Sequence, residues 1–323
     1  MTRVLITGAT GHAGARLAET ILQQTDWDVV SLERLPNGRQ ARFDRKAHLP
    51  AERIRKVYHD FRAPLPSSLL GELEGVQYVI HAGAEVHGPR SLVDPGLFVQ
   101  MNVTGTFNML ELARKIQPKV FIYVSSAEVM GPAPAGFSYG EDDALHPTNP
   151  YAAAKACGEM LVRAYHRSFG VPALTVRTMN LFGERQQSSK FIPLVFDRLM
   201  KSKTIPVHVG PDGVVGSRQW MYVGVFADAI LHLLRRGVAG ETYHVAGEEK
   251  SNTEIVALLA VYLNKQAKQE LIDVSVHHPA HTLRYSIHDR NLRLLDWVPT
   301  ETFAVSLTKT LKWMFENQEW LEL

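Results

Sequence analysis

A chain of 323 residues with 45% hydrophobic and 21% charged side chains has the composition of an ordinary globular protein, long enough for one large or two fused domains, which excludes a disordered or low-complexity chain. The formal net charge of +2, from 35 basic and 33 acidic residues with no long like-charge block, gives no argument for a nucleic-acid partner. Cys157 is the only cysteine, so an internal disulfide and a cysteine-based metal cluster are excluded. The 14 histidines show no metal-site spacing, and His277, His278 and His281 read as solvated loop residues, so no metal is expected. Met1 leads into Val4-Leu5-Ile6 without a signal-peptide pattern, and no apolar run approaches the ~18 residues of a membrane span. A cytoplasmic protein without a membrane partner is the expectation.

From the amino terminus, residues 3–7 read as a short buried strand, T-G-A-T-G-H-A-G as a glycine turn, and residues 15–22 as a helix. Strand, glycine turn and helix in that order are the context of a dinucleotide-binding loop. Gly8 suits the tight turn, Gly11 lets backbone approach a pyrophosphate and Gly14 permits close helix packing. His12 and Ala13 begin the helix whose N-terminus would face the anion. Residues 27–32 form the next strand. Glu33 at its end is placed to hold a ribose 2′-hydroxyl, which favours NAD; Arg34 and Arg39 keep an NADP reading open, and a solvated strand end is the plain alternative.

Further strands at 54–58, 76–81, 120–124 and 173–177 alternate with helical stretches. This predicts an α/β fold with a doubly wound parallel sheet of the Rossmann type. Asp60-Phe61 and His81-Ala82-Gly83 end two of these strands and so fall on the cofactor edge, unless they are ordinary loop residues. Ser125, Ser126 and Glu128 emerge from strand 120–124 at the carboxyl edge, where open α/β sheets bind ligands. Glu128 also reads as a structural carboxylate paired with Arg90. Asn149 is a candidate helix cap and Pro150 suits the first helical position, so Tyr151 and Lys155, four apart, share one face. An ammonium beside a phenol favours the phenolate, so Lys155 is expected to lower the Tyr151 pKa and make it a base near neutral pH. Tyr-x-x-x-Lys also arises by chance in ordinary helices, and the glycine turn is what gives it weight.

From Asn180 onward the composition shifts toward loops, which predicts a smaller C-terminal substrate lobe. The division reads as residues 1–178 and 217–247 for the NAD-binding domain, and 179–216 and 248–323 for the lobe. Lys190 in a connection, Arg218 after a glycine turn and Arg284 after a polar loop are candidate anion contacts, although each alone is more readily a solvated cation.

Together these residues resemble the extended short-chain dehydrogenase/reductase family, and within it the NAD-dependent nucleotide-sugar 4,6-dehydratases, over nearly the whole chain. The family's A-E-S-H-V-D-R-S is similar to A-E-V-H-G-P-R-S at 84–91, and its N-V-x-G-T stands at 102–106. Its R-x-x-N-x-Y-G falls at 177–183 with Phe182 for the tyrosine, its K-L-I-P at 190–193, its R-D-W-x-x-V at 218–223 and its D-L-R-Y at 282–285. The resemblance implies NAD as cofactor and Ser126, Tyr151 and Lys155 as the group that oxidises a sugar at C4. It makes Glu128 the base at C5, and Glu85, His87, Asn180, Lys190, Arg218 and Arg284 contacts of a nucleotide-diphosphate sugar. It also implies a homodimer through helices at 103–115 and 151–169, carrying Phe107, Leu110 and Lys115 on one and Met160, Leu161 and Tyr165 on the other.

The departures bear on the chemistry. These dehydratases commonly carry T-D-E before V-Y-G, whereas here the run is Ser126-Ala127-Glu128, with Met130 for the tyrosine. The acid that protonates the departing C6 hydroxyl is therefore missing, and Glu128 is left to serve both steps. GDP-mannose 4,6-dehydratases likewise lack that aspartate, so elimination stays open. The glutamate-only pattern is also similar to the UDP-N-acetylglucosamine 5,6-dehydratases of tunicamycin-type antibiotic pathways, which return the hydride to C4. Rival readings are an NAD-dependent nucleotide-sugar 4-epimerase, whose S-S-A-T-V-Y-G is close to 125–131, and a UDP-glucuronate-type decarboxylase, whose Y-x-x-G-K is absent because Ala154 precedes Lys155. A non-catalytic NAD(H) sensor would not keep Tyr151 and Lys155 beside Ser126 and Glu128.

Overall fold

The computed structural model describes residues 2–34, 51–274 and 282–322; Arg39, His277, His278 and His281 lie outside them. The strands are β1 (Arg3–Thr7), β2 (Asp28–Glu33), β3 (Ile54–Tyr58), β4 (Val76–His81), β5 (Val120–Val124), β6 (Ala173–Thr178), β7 (Leu181–Phe182), β8 (Ile205–Val209), β9 (Ser217–Tyr222), β10 (Thr242–Val245), β11 (Glu248–Ser251) and β12 (Gln269–Asp273). The longer helices are α1 (His12–Gln24), α2 (Gly105–Ile116), α3 (Pro150–Phe169), α4 (Phe191–Met200), α5 (Val223–Arg236), α6 (Asn252–Leu263) and α7 (Phe303–Glu316).

Among the described residues, seven parallel strands form the central sheet in the order β10-β6-β5-β4-β1-β2-β3. The Val, Ile and Leu runs of the inner strands are buried on both faces, as a parallel sheet covered by helices requires, while the edge strand β3 exposes Arg55, Lys56 and Tyr58. Alternation sorts the side chains: Val4 and Ile6 pack with Leu17 and Ile21 of α1 and Phe226 and Ile230 of α5, while Leu5 packs with Met109 and Leu110 of α2 and Val162 of α3. Strand order reverses at β1, with β2 on one side and β4 on the other. Thr7 is in register with both Leu32 and His81, so the glycine turn opens directly into the crevice at this switch point.

Local chemistry sets the helix that carries Tyr151. Asn149 Oδ1 accepts from the Ala152 N–H at 2.8 Å, Pro150 fills the first turn, and Gly170 ends α3 in the left-handed region at φ 67°. The helix Pro95–Val99 runs through one π turn at Gln100–Thr104 into α2. That turn points Asn102 at the loop after β4, where its amide pairs with both the N–H and the carbonyl of Glu85, at 2.9 and 3.0 Å.

Among the described residues, a three-stranded sheet, β11-β9-β7, and the parallel pair β12-β8 lie outside the central sheet. Ile192 and Phe196 of α4, Val207 of β8, and Ile255 and Leu259 of α6 belong to the same apolar cluster as Val4 and Ile6, so lobe and sheet share one continuous core. β9, inside the stretch 217–247 expected in the NAD-binding domain, pairs instead with β7 and β11, and the chain returns to the main sheet through α5 and β10. No helix among the described residues is long and apolar enough to cross a membrane.

Candidate active site

The loop after β1 is built backbone on backbone. Gly8 has φ +72°, and a Cβ there would stand 2.9 Å from the Gly83 Cα, while a Cβ on Gly14 would overlap the Gly8 carbonyl. Gly11 is different: its Cβ would meet only the Gly8 oxygen, at 3.2 Å, so little inside the protein requires glycine there. α1 begins with no side-chain cap and no acid in its first turn, which leaves the positive end of its dipole for a ligand. His12 Nε2 is buried without a hydrogen-bond partner, and burial together with Arg185, Lys190 and Arg16 lowers its pKa to about 3. Uncapped amides, a glycine with little internal reason and an orphaned ring nitrogen fit the pyrophosphate of a dinucleotide on this loop.

Glu33 is buried at the end of β2 and accepts the Ser31 hydroxyl, with Arg34 beside it, half-buried. Asp60 is gripped by Arg62, with Nε 3.0 Å from Oδ1, and that bond holds its carboxyl below the usual range. Phe61 is buried edge-on to His81 at 5.3 Å, filling the space beside Gly83. His81 itself is used internally: Nδ1 meets Thr7 Oγ1 at 2.8 Å and Nε2 meets Thr106 Oγ1 at 3.2 Å, and burial pushes its pKa down to about 3. Thr106 Oγ1 donates to the Asn102 carbonyl at 2.7 Å, so the proton of the neutral ring sits on Nε2, and Thr7 Oγ1, which accepts the Gly83 N–H at 2.8 Å, donates to Nδ1. His81 thus supports the loop of Ala82 and Gly83 from beneath, and its ring has no free nitrogen for a cofactor.

Beyond β5, Ser126 Oγ accepts the Glu128 N–H at 3.2 Å and hydrogen-bonds the Tyr151 hydroxyl. Tyr151 is buried, with its ring edge-on to Phe98 at 6.1 Å. One turn on, Lys155 donates Nζ to the Val124 carbonyl at 2.6 Å and lies 4.2 Å from the centre of the Tyr123 ring. A Cβ on Gly158 would overlap the Tyr123 hydroxyl, so glycine is what lets α3 lie close enough to β5 for that reach. Burial lowers the Lys155 pKa to about 7, with Glu159 acting against it. The expected lowering of Tyr151 by Lys155 is not what this geometry produces. Burial and the charge of Glu128 raise Tyr151 above its usual value, with only the Ser126 bond opposing them. The ammonium is turned toward Val124 and Tyr123, so the phenol keeps its proton in this state.

Glu128, half-buried, lies where these groups converge. Its Oε2 accepts from Asn149 Nδ2 at 3.2 Å and from the Tyr285 hydroxyl at 3.5 Å, and its charge acts on Tyr151, Tyr285, Lys190 and Arg218. Arg90, the alternative partner, turns instead to Glu85 at 2.8 Å. His87 Nδ1 accepts the Arg90 N–H at 3.2 Å. Lys190 precedes α4; its charge also acts on His12 and His87, which places it between the glycine loop and Glu128. Arg218 stacks 5.1 Å from the Tyr285 ring centre and donates to the carbonyls of Ser217 and Thr282 at 2.7 and 2.6 Å. Asn180 is half-buried between β6 and β7. Arg284 is spent elsewhere: Nε and Nη2 pair with Glu249 at 2.7 and 2.8 Å, and Nη1 donates to the carbonyls of Pro134 and Phe137.

Sequence reasoning passed over the support beneath this group. Ser125 donates to Glu159 Oε1 at 2.5 Å, and Arg177 Nη2 grips Glu159 Oε2 at 2.8 Å. Arg177 also donates to the Glu141 carbonyl, to His244 Nε2 and to the sulfur of Met130, which stands where the family has tyrosine. Glu159 lies four residues after Lys155 on the same helix face, the one signal that would have found it. Tyr285 lay inside a quoted motif without being given a role.

The NAD dependent epimerase/dehydratase family matches residues 4–246. The chain is 31% identical to a dTDP-glucose 4,6-dehydratase from Neisseria meningitidis serogroup B, over 99% of this chain and 95% of the relative. A solved dTDP-glucose 4,6-dehydratase from Streptomyces venezuelae, with NAD bound, superposes with a TM-score of 0.87 at 32% identity, covering 98% of each chain. A UDP-glucuronic acid 4-epimerase from Bacillus cereus also reaches 0.87, but at 22% identity over 97% of this chain and 99% of its own, which speaks for the fold alone. With the match spanning the glycine turn, Ser126, Tyr151 and Lys155, the chain belongs to the NAD-dependent epimerase/dehydratase family.

Proposed function

We propose that the protein is an NAD-dependent nucleotide-sugar dehydratase that oxidises a hexose at C4, removes the C5 proton and expels the C6 hydroxyl. The observation that carries this reading is Glu128, a half-buried carboxylate beside Tyr151 whose alternative partner, Arg90, is committed to Glu85. Turning a C4 ketone over, as an epimerase does, needs no carboxylate base at that place; removing a C5 proton does. The relatives named dTDP-glucose 4,6-dehydratase support the 4,6 course and a dTDP-hexose as substrate.

NAD supplies the acceptor for the C4 hydride, and the chain does the rest. Gly8, Gly11, His12, Ala13 and Gly14 would hold its pyrophosphate, Glu33 its ribose, and Asp60, Phe61, Ala82 and Gly83 the adjoining edge. Tyr151, hydrogen-bonded to Ser126, is placed to take the C4 hydroxyl proton once its own has left, and Lys155, one turn away, is the cation that would stabilise that phenolate on turning from Val124. A ketone at C4 acidifies the C5 hydrogen enough for a carboxylate, and Glu128 removes it. Lys190 and Arg218 offer the positive charge a diphosphate needs, with residues 179–216 and 248–323 closing over the sugar. Arg284 would join them only by leaving Glu249. A second reading, a 5,6-dehydratase that returns the hydride to C4, is favoured by Ala127 standing where these dehydratases carry an acid. A homodimer through α2 and α3 accompanies either reading.

Incubation with a panel of dTDP-, UDP-, GDP- and CDP-hexoses in deuterated water, read by mass and NMR, tests the reading. Loss of one water and deuterium at C5 are expected, and Glu128→Gln should slow both by about 10²-fold or more while C4 oxidation stays detectable. A product of unchanged mass with C4 inverted would rule it out. The position of the hydride, C6 or C4, separates the two courses.

A further inference from the structure

Ala127 leaves the elimination without its usual proton donor, and the structure places another acidic hydrogen beside the gap. Ala127 is fully buried in an apolar cluster that also contains Tyr285 and Ile287. Tyr285 enters this cluster from the far end of the chain, held by the bridge between Ser217 and Arg284. Its hydroxyl lies 3.5 Å from Glu128 Oε2, and its ring is covered by the Arg218 guanidinium at 5.1 Å. Thr282 and Thr148 also hydrogen-bond that hydroxyl. A phenol is thus paired with the proposed C5 base on one side and faced by a cation on the other.

Resting on the dehydratase reading, we propose that Tyr285 protonates the departing C6 hydroxyl, in the role of the acid absent at Ala127. Glu128 takes the C5 proton, and the C5–H electron pair becomes the C5–C6 double bond. As the C6–O bond breaks, the oxygen takes the Tyr285 proton and leaves as water. The phenolate then recovers a proton from the Glu128 carboxylic acid across their hydrogen bond, and both groups return to their starting states. The cation over the ring stabilises the transient phenolate. Burial and the charge of Glu128 push Tyr285 up to about 12, against Arg218 and its hydrogen bonds, so at neutral pH it holds a proton to give.

Tyr285→Phe removes that proton and keeps the ring, so the test reads water loss and C5 exchange separately in deuterated water. Exchange into recovered substrate should stay within about threefold of wild type while water loss falls by about 10²-fold or more, and Ala127→Asp in the same background should restore at least tenfold of it. A fluorinated tyrosine at position 285, which changes acidity rather than shape, should move the alkaline limb of the water-loss rate to lower pH. Water loss near the wild-type rate in Tyr285→Phe, or an alkaline limb that the fluorinated residue does not move, overturns the assignment. So does a parallel fall of exchange and water loss without rescue by Ala127→Asp, which would mean that Tyr285 only orients Glu128. A wild-type enzyme that inverts C4 without losing water would instead remove the dehydratase reading itself.

Discussion

Lys155 shows at single-residue scale what a catalytic site costs the fold. Burial lowers its pKa from 10.5 to about 7, while the unfolded chain keeps the ordinary value. Between those limits the unfolded state binds more protons, so stability rises with pH from about 7 to about 10, and below pH 7 the penalty is fully present. Its bond to the Val124 carbonyl and its seat over Tyr123 offset part of that penalty. Lys155→Met should therefore raise the melting temperature by several degrees at pH 6, on the order of a few kcal/mol, and abolish turnover. The gain should shrink toward zero by about pH 10, as both states of the wild type become neutral. Thermal melts of the two proteins at pH 6 and 10 check this, and a gap that stays constant or widens with pH would contradict it.

At the scale of elements, the glycine turn separates internal from external reasons for the same residue type. Gly14→Ala puts a methyl into the Gly8 carbonyl and should lower stability by several kcal/mol, seen as a drop in melting temperature whether or not NAD is present. Gly11 has an ordinary backbone and meets only one oxygen, so Gly11→Ala should melt within a few degrees of wild type yet bind NAD at least about tenfold more weakly. Equal affinity in a titration would show that the ligand does not approach there. This loop was legible in the sequence because its parts are local: a β-branched strand, three spaced glycines and an apolar-periodic helix. α3 was legible for the same reason, with Asn149 and Pro150 announcing its start. β10 was not, because His244 interrupts its apolar run and is tolerated there only as a neutral acceptor for Arg177. The rest of the site hid for a related reason. Arg177 and Glu159 are 18 residues apart, Arg284 and Glu249 are 35 apart, and Tyr285 and Glu128 are 157 apart, so no periodicity or spacing joins them. Only the topology of the lobe brings Tyr285 to β5, and only a buried geometry turns Lys155 away from the phenol it was expected to activate.

At the scale of the whole molecule, α2 and α3 pack side by side over the face of the sheet that Leu5 lines, and their outer surface carries exposed apolar side chains among the cations Arg114, Lys115, Arg163 and Arg167. Phe107, Met160 and Phe169 are 42, 45 and 51% exposed, and the rings of Phe107 and Phe169 flank Tyr165 at 6.4 and 4.9 Å. Of the residues expected at a dimer contact, Leu110 and Tyr165 belong instead to the protein's own core, so Phe107 and Met160 carry the exposed patch. A second copy related by a twofold axis would present the same two helices to this face, giving a four-helix contact in which each patch covers its own equivalent, with on the order of 800 Å² buried per partner. Such self-complementarity makes the test sharp, because one substitution enters the interface twice. Phe107→Lys together with Met160→Lys would face four added ammonium groups across the axis without disturbing Leu110, Tyr165 or the inward faces that carry Tyr151 and Lys155. Light scattering at micromolar concentration should give twice the chain mass for the wild type and the single chain mass for the double variant, with far-UV circular dichroism unchanged. A double variant that stays dimeric would place the contact elsewhere, and a wild-type protein that is monomeric under those conditions would mean that no second copy covers the exposed rings.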